Sequence, residues 1–357
     1  MNLIIGSNES SSGKSAIVLG LGLHLQERGF TVGYAKPVGT AARVIDGRTF
    51  DEDSYFISRK LGLTSSMPST LVFSDKSAVR LRLLGQDAAD YCTQLEDYLV
   101  CEPDKLCLIE AAGTPQEGAI FGLSLPQMAQ RLEADVLLVC RCHDDSVLDQ
   151  LLALQAQIGR RLLGVVLNDI PESYYPEVSE TLAPFIEKLG IEVLAMIPTD
   201  TVLRSISVGE LAEALSADVL CCRDRLDMMV ESFDIGAMNV NSALRYFRKS
   251  ANKAVITGGD RTDIQLAALE TSTNCLILTG QLPPLEMTLA RAGELEVPVL
   301  LVSHDTLNTV GIVERLFGQA RLREPEKVRR VQQLLTYHFD FERFYTWLGC
   351  DWDAPVS

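Results

Sequence analysis

The sequence predicts an α/β fold: a parallel sheet with helices on both faces, followed by a second, smaller α/β unit. Three observations predict it. Apolar strand-like runs alternate with helical patterns over roughly the first two hundred residues, and the alternation resumes after a break near residue 215. The first run, Leu3-Ile4-Ile5-Gly6, leads into Asn8-Glu9-Ser10-Ser11-Ser12-Gly13-Lys14-Ser15 and then the apolar Ala16-Ile17-Val18-Leu19. Such runs, flanked by glycine turns, are typical of strands buried on both faces.

Composition bounds the function classes. At 357 residues with 47% apolar content the chain is long enough for two full cores. No run approaches the roughly 18 uninterrupted apolar residues of a membrane helix, and no basic region precedes the first strand, so a cytoplasmic protein is expected. Forty-eight acidic against 32 basic residues give a formal charge of −16, which opposes attraction to nucleic acid or anionic lipid. The nine cysteines fall mostly in apolar segments such as Leu106-Cys107-Leu108-Ile109, as reduced core thiols do. Cys140-Arg141-Cys142 and Cys221-Cys222 lack zinc spacing.

The first element is a strand over Asn2–Ile5 that opens a phosphate loop. Backbone N–H groups, the positive end of the following helix and the Lys14 ammonium would converge on a polyphosphate, with the Ser15 hydroxyl available to Mg²⁺. The usual pattern is G-x-x-x-x-G-K-[ST]; here Asn8 holds the first glycine position and Gly6 lies two residues earlier. Asn tolerates positive φ better than most residues, so the variant loop is still compatible with an anion nest containing Gly6, Asn8, Ser12 and Gly13.

Further strands are predicted at Thr31–Ala35, Leu106–Glu110, Val136–Cys140, Arg161–Leu167 and Glu192–Ile197. Ligands of parallel sheets bind beyond the carboxyl ends of the strands, so the polar residue after each strand is a site candidate. Lys36 follows the second strand, where Pro37 excludes helix; it reads as a charge-balancing ammonium or as a solvated loop lysine. Glu110 ends the third strand, where a carboxylate could attend Mg²⁺. Asp53, in Asp51-Glu52-Asp53 at the start of a helix over Ser54–Leu61, is either a second metal carboxylate or a helix-dipole partner. Asn168, in Leu167-Asn168-Asp169, and Pro198, in Ile197-Pro198-Thr199-Asp200, are placed to form a base pocket or ordinary turns.

Together, Gly13-Lys14-Ser15, Lys36-Pro37-Val38-Gly39, Ile109-Glu110-Ala111-Ala112-Gly113 and Leu167-Asn168-Asp169 resemble the dethiobiotin synthetase-like P-loop domain shared with cobyrinic acid amide synthases. The resemblance covers roughly residues 1 to 210. It implies ATP and Mg²⁺ as cofactors, with Lys14 and Ser15 as phosphate and metal ligands, Asp53 and Glu110 as metal-associated acids, and Asn168 as a base contact. It also implies that Lys36 is the catalytic lysine beside a transferred phosphoryl group.

The second half carries Ile256-Thr257-Gly258-Gly259-Asp260-Arg261-Thr262-Asp263 before an apolar helix. This resembles the DRTGG domain of long bacterial phosphotransacetylases, departing from the motif after Thr262. Gly258, Gly259, Asp260, Arg261 and Thr262 read as a small-ligand or interface site, or as a tight turn that needs glycine. Strands are expected at Lys253–Thr257, Asn274–Thr279 and Pro298–Ser303. The expected domains are residues 1–212, 213–325 and a tail at 326–357. That tail combines an amphipathic helix over Val328–Tyr337 with Phe339, Phe341, Phe344, Tyr345, Trp347 and Trp352, a strap on the body or a subunit contact.

The two regions are accessory ones in the longer enzyme, so acetyl transfer is not expected. One reading is an adenine-nucleotide-binding regulator that signals to a protein partner or answers to a small-molecule effector. A second is an ATP-dependent ligase that activates a carboxylate or carbamate, and a third a scaffold with a vestigial loop. As an enzyme the chain is expected to be at most a slow ATPase or such a ligase. The resemblance suggests a homodimer or higher homo-oligomer.

Overall fold

The computed structural model describes residues 1–45, 48–63, 70–98, 105–318, 322 and 324–350; Trp352 of the aromatic tail lies outside them. The chain forms two compact units, Met1–Thr199 with the segment from Leu322 onward, and Asp200–Arg321.

In the first unit, strand β1 (Asn2–Ser7) leads through the loop into α1 (Lys14–Glu27), then β2 (Thr31–Ala35) and α2 (Glu52–Lys60). After these come β3 (Lys105–Glu110), α3 (Leu125–Arg131), β4 (Asp135–Arg141), α4 (Ser146–Ile158), β5 (Leu162–Ile170), α5 (Ala183–Lys188) and β6 (Val193–Pro198). The sheet order is β6-β5-β4-β1-β3-β2, and every pairing is parallel. All six predicted strands are present, β5 running on through Asn168 to Ile170.

Alternation of side chains along these strands separates two faces. Ile4, Ile109, Leu138 and Val165 join Met128 of α3, Leu151 of α4 and Ile186 of α5 in one core. The opposite face, with Leu3, Ile5, Leu108 and Leu137, is equally buried. Helix α1 carries buried Ile17, Val18, Leu19, Leu21 and Leu25. A helix apolar on more than one side needs a second layer over it.

The second unit contains α6 (Val208–Ala214), β7 (Asp218–Cys221), β8 (Ser232–Ile235), α7 (Val240–Phe247), β9 (Lys253–Gly258), α8 (Thr262–Leu269), β10 (Thr273–Thr279), α9 (Glu286–Glu294), β11 (Val299–Leu301) and α10 (Thr306–Gly318). Its sheet order is β7-β11-β10-β9-β8, with β7 antiparallel to β11 and the others parallel. One face packs Ile256 and Ile277 on Leu211 and Val313; the other packs Val255 and Leu276 on Phe247, Ile264 and Ala292.

Gly258-Gly259-Asp260-Arg261-Thr262 joins β9 to α8. Neither glycine has positive φ. What Gly259 supplies is close approach, because an added Cβ would collide with the backbone carbonyl of Leu282. Gln265, fully buried, donates to the carbonyls of Gly258 and Gly259 at 2.9 Å each, and Arg261 reaches the Met238 carbonyl at 2.9 Å. The turn is therefore fixed from three sides. Gly259→Ala is expected to destabilise this unit by about 1–3 kcal/mol, since the obstacle is backbone and cannot rotate away. Gly293→Ala in α9 is the control, with nothing near its added methyl; denaturant melts of both variants check the difference.

The C-terminal helices α11 (Pro325–His338) and α12 (Phe341–Leu348) belong to the first unit. Helix α11 is the second layer over α1: a side chain at Gly20 would collide with Leu335 and Val331. Between the two helices, Phe339 bridges Ala195 and the Asp340 N–H donates to the Leu194 carbonyl at 2.7 Å, covering the edge strand β6. Trp347 Nε1 donates to Asp135 at 2.8 Å, and His24 of α1 stacks on Phe341 with ring centroids 3.7 Å apart.

Burial, with Arg28 nearby, lowers the His24 pKa to about 4. The unfolded chain then binds a proton that the folded one resists between about pH 6.5 and 4, so stability is lost as pH falls through that window. His24→Phe should lose less stability than wild type there, by about 1–2 kcal/mol after allowing for partial exposure, measured as denaturant stability at pH 7 and pH 4.5.

Candidate functional site

Because β1, β2, β3, β5 and β6 are parallel, their carboxyl ends share one edge of the sheet, and the candidate residues cluster there. The loop from β1 to α1 takes left-handed backbone at Ser11 (φ 57°) and Gly13 (φ 98°), rather than at Asn8. Gly13 has a second reason to be glycine, since a Cβ would collide with the Asn168 amide. Gly6 sits inside β1, where an added Cβ would lie 2.5 Å from Leu125 of α3, so its small size serves packing. Asn8 donates to Gln150 at 2.5 Å, while its Oδ1 and the buried Ser12 Oγ have no partner among the described residues.

Lys14 begins α1 with 7% of its surface exposed. Its ammonium donates to Ser7 Oγ at 2.6 Å and to the Gly113 carbonyl at 3.3 Å. Burial lowers its pKa to about 8, with Glu110 pulling the other way and Lys36 adding to the fall. A buried ammonium satisfied by a hydroxyl and a carbonyl is poised for an anion.

Glu110 closes β3 and gathers three partners. Ser15 Oγ donates to Oε1 at 2.8 Å, the buried Tyr34 hydroxyl donates to Oε2 at 2.9 Å, and the Lys36 ammonium stands 3.6 Å from Oε1. Burial, then Glu110, pushes the Tyr34 hydroxyl well above its usual range, so it remains a donor. Lys36 also pairs with Asp51 at 2.9 Å and Asp53 at 3.4 Å. Burial disfavours its charge, but Glu110, Asp53 and Asp51 together outweigh that and hold the ammonium above the usual lysine range.

Asp51, the first of three consecutive acids and not among the residues expected at the site, is fully buried and central. It caps α2 by accepting from the Ser54 N–H at 3.1 Å, and accepts from Thr40 and Ala41 N–H at 2.9 and 3.2 Å. Burial raises its pKa, but Lys36 and these N–H groups more than compensate, and the carboxyl lies below its ordinary value. An aspartate directly before a helix start, where its carboxylate can accept from the backbone N–H three residues on, is the signal that could have found it. Glu117 is another addition, its Oε2 accepting from the Gly113 N–H at 2.8 Å.

Asn168 donates to the Ser12 carbonyl at 2.8 Å, which ties β5 to the loop. Arg141 at the end of β4 supports the loop's outer side, donating to the Ser11 carbonyl at 2.5 Å and pairing with Asp169 at 3.3 Å. Pro198 is the last residue of β6, paired in register with Ile170. Ser15, Lys36, Asp53 and Glu110 are thus linked by hydrogen bonds and ion pairs, with Lys14 near enough to feel the charges of Glu110 and Lys36; Asn168 supports the loop, and residues 258–262 belong to the other unit.

These residues fit a nucleotide phosphate with magnesium. The observation is the buried Ser12 Oγ, which has no partner among the described residues, in a partly exposed loop beside a lysine with neutral partners and a serine already turned toward a carboxylate. Among the described residues no group of three His, Cys, Asp or Glu forms a metal cage. Magnesium held jointly with phosphate oxygens does not need one.

Comparison with known proteins follows the same division. A family model described as an AAA domain matches residues 1–207, and one described as a DRTGG domain matches residues 210–316. The chain is 27% identical over 360 residues to a phosphate acetyltransferase of Nitratidesulfovibrio vulgaris, a match covering 95% of this chain and 50% of that one. A phosphate acetyltransferase of Pseudomonas aeruginosa is 26% identical over 360 residues, covering 92% of this chain and 49% of that one. An ATP-dependent dethiobiotin synthetase of Idiomarina loihiensis is 23% identical over 201 residues, 54% of this chain and 90% of the synthetase. The chain spans about half the length of the two acetyltransferases. It belongs to the AAA domain family, with a P-loop domain of that kind over residues 1–207 fused to a DRTGG domain over residues 210–316.

Proposed function

We propose that the chain is a regulatory protein that binds ATP with Mg²⁺ in its first unit. The observation that carries this reading is Lys14, a buried lysine with a lowered pKa whose partners are Ser7 and the Gly113 carbonyl, in a loop with an unsatisfied buried hydroxyl at Ser12. In this reading Lys14 and the loop N–H groups hold the phosphates, and Ser15 with Glu110 and Asp53 hold the magnesium. The metal, when bound, would neutralise phosphate charge. Asn168 secures the loop through the Ser12 carbonyl and Arg141 braces it through Ser11.

A regulatory role is supported by the fusion to a DRTGG domain and by the similarity to phosphate acetyltransferases. Differential contacts with di- and triphosphate would supply the switching energy. Partners would be a protein or a small-molecule effector, within a homodimer or larger homo-oligomer in the cytoplasm. A ligase acting on a carboxylate or carbamate is the second reading, favoured by the dethiobiotin synthetase match over most of that enzyme's length.

Calorimetric titration of the full chain with ATP, ADP and GTP in Mg²⁺, followed by product analysis after hours of incubation, tests the proposal. Adenine nucleotide binding with ATP left intact is expected. Rapid turnover would transfer the weight to the ligase and call for a carboxylate screen. An absence of binding would sink both readings.

A further inference from the structure

We infer that Arg141 is a positioning residue: clamped by Asp169, its guanidinium holds the Ser11 carbonyl on the outer side of the phosphate loop and so turns the Ser12 N–H toward the anion, without itself touching the nucleotide. The inference rests on the nucleotide reading of the loop and concerns the same site.

Ser11 is where the loop needs outside support. Its φ of 57° is left-handed, a conformation that is costly for a residue with a Cβ. Between Ser7 and Ser12 the chain reads Asn8-Glu9-Ser10-Ser11, with no glycine to select that conformation locally.

Arg141 reaches this point from the end of β4. It donates to the Ser11 carbonyl at 2.5 Å, and its other nitrogens lie 3.5 Å from Glu9 and 3.3 Å from Asp169. No peptide bond here is cis, and in a trans peptide the C=O and the following N–H point in opposite directions. A Ser11 carbonyl drawn toward Arg141 therefore sends the Ser12 N–H to the other side of the loop. Asn168 acts in the same way one residue later, since its amide donates to the Ser12 carbonyl at 2.8 Å and so directs the Gly13 N–H. Left-handed residues at Ser11 and Gly13, on either side of Ser12, suit the nest that successive N–H groups form around an anion. Among the described residues neither of these two N–H groups donates to a protein acceptor.

The clamp is itself anchored. Asp169, with 13% of its side chain exposed, accepts from Thr199 Oγ1 at 3.0 Å and stands 3.1 Å from His143 Nε2. Arg141 lies in register with Asn168 on the neighbouring strand, so the two side chains that hold successive carbonyls rise side by side. Glu9 and Asp169 balance the guanidinium charge, and neither belongs to the carboxylates set around magnesium. Lysine could not replace it, because only a planar fork reaches a carbonyl and a carboxylate together.

The test measures ATP and ADP affinities of the full chain in Mg²⁺ by calorimetry, for wild type, Arg141→Met, Arg141→Lys, Asp169→Asn and the Arg141→Met/Asp169→Asn pair. Arg141→Met should weaken both nucleotides by about tenfold, the scale of one hydrogen bond from a charged group, with their ratio within about twofold of wild type. Arg141→Lys should still lose about fivefold, and Asp169→Asn should add nothing in the Arg141→Met background. Wild-type affinity in Arg141→Met or in Arg141→Lys would overturn the inference, the second by showing that charge alone suffices. A loss in Arg141→Met about tenfold greater for ATP than for ADP would place the guanidinium on the terminal phosphate and overturn it too. Losses that multiply in the pair would show that Asp169 does not act through Arg141.

A second arm needs no nucleotide. The crystal structure of nucleotide-free Arg141→Met should show the Ser11–Ser12 peptide turned over or in two orientations, whereas a peptide held as in wild type would overturn the positioning role. Should wild type bind no nucleotide, the reading of the loop fails, and this arm still decides whether Arg141 sets the peptide. Arg141→Gln replaces Arg141→Met if the latter does not fold.

Discussion

Lys14→Ala is expected to lower the affinity for ATP and for ADP by about a hundredfold or more, the scale of truncating one partner of a buried charge pair. Both nucleotides should suffer because the ammonium sits at the base of the loop, between Ser7 and Gly113. The free protein's Lys14 titrates near pH 8, since burial has lowered it from the ordinary value. A bound polyphosphate favours the ammonium and raises that pKa, so binding takes up a proton above pH 8. Affinity should therefore be greatest below pH 8 and fall as pH rises through 9. Calorimetry from pH 6.5 to 9.5 checks this, and the Lys14→Ala profile should be flat over the upper part of the range. A wild-type profile as flat as the variant's would mean that Lys14 meets no phosphate.

The fold was legible because burial on both faces leaves continuous apolar strands, and β1 to β6 follow from that pattern almost residue by residue. The placement of the candidate residues was legible for the same reason: once a sheet is parallel, Lys36 after β2, Glu110 at the end of β3 and Asn168 near the end of β5 must come to one edge. Residues that depend on three-dimensional closure were not. Asp51 lies one position before the helix and reads as one of three consecutive acids; only the approach of Lys36 and of the Thr40 and Ala41 N–H groups makes it the buried member. Tyr34 reads as a strand residue, and its hydroxyl matters because β2 and β3 are neighbours in register. Gly6 reads as part of the phosphate loop, but the side chain it makes room for, Leu125, lies more than a hundred residues away. The destination of the aromatic tail was equally invisible, since amphipathicity shows that a face is covered without naming what covers it.

That tail carries the second large expected effect: ending the chain at residue 318 should leave the first unit unable to hold its native structure. Val328, Val331, Leu334, Leu335, Phe339, Phe341, Phe344 and Tyr345 are all buried in that unit. At about 1.5–3 kcal/mol for each large apolar side chain, their loss is as large as or larger than the roughly 5–15 kcal/mol that a typical domain has in reserve. The truncation would also strip the cover from two surfaces at once. The Gly20 side of α1 would lose Val331 and Leu335, and β6 would present an open edge where Phe339 and Asp340 now bond to Ala195 and Leu194. An apolar helix beside an unpaired strand edge is an aggregation surface, so the expected readout is insolubility rather than a modest shift in melting temperature. A single substitution gives the graded version: Phe344→Ala should cost about 3–5 kcal/mol in denaturant stability, while Trp347→Phe, which loses the bond to Asp135 but keeps a ring, should cost about 1 kcal/mol. A truncated chain that stayed soluble and melted like the full one would show that α1 and β6 need no cover, and the all-round apolar character of α1 would then lack its physical explanation.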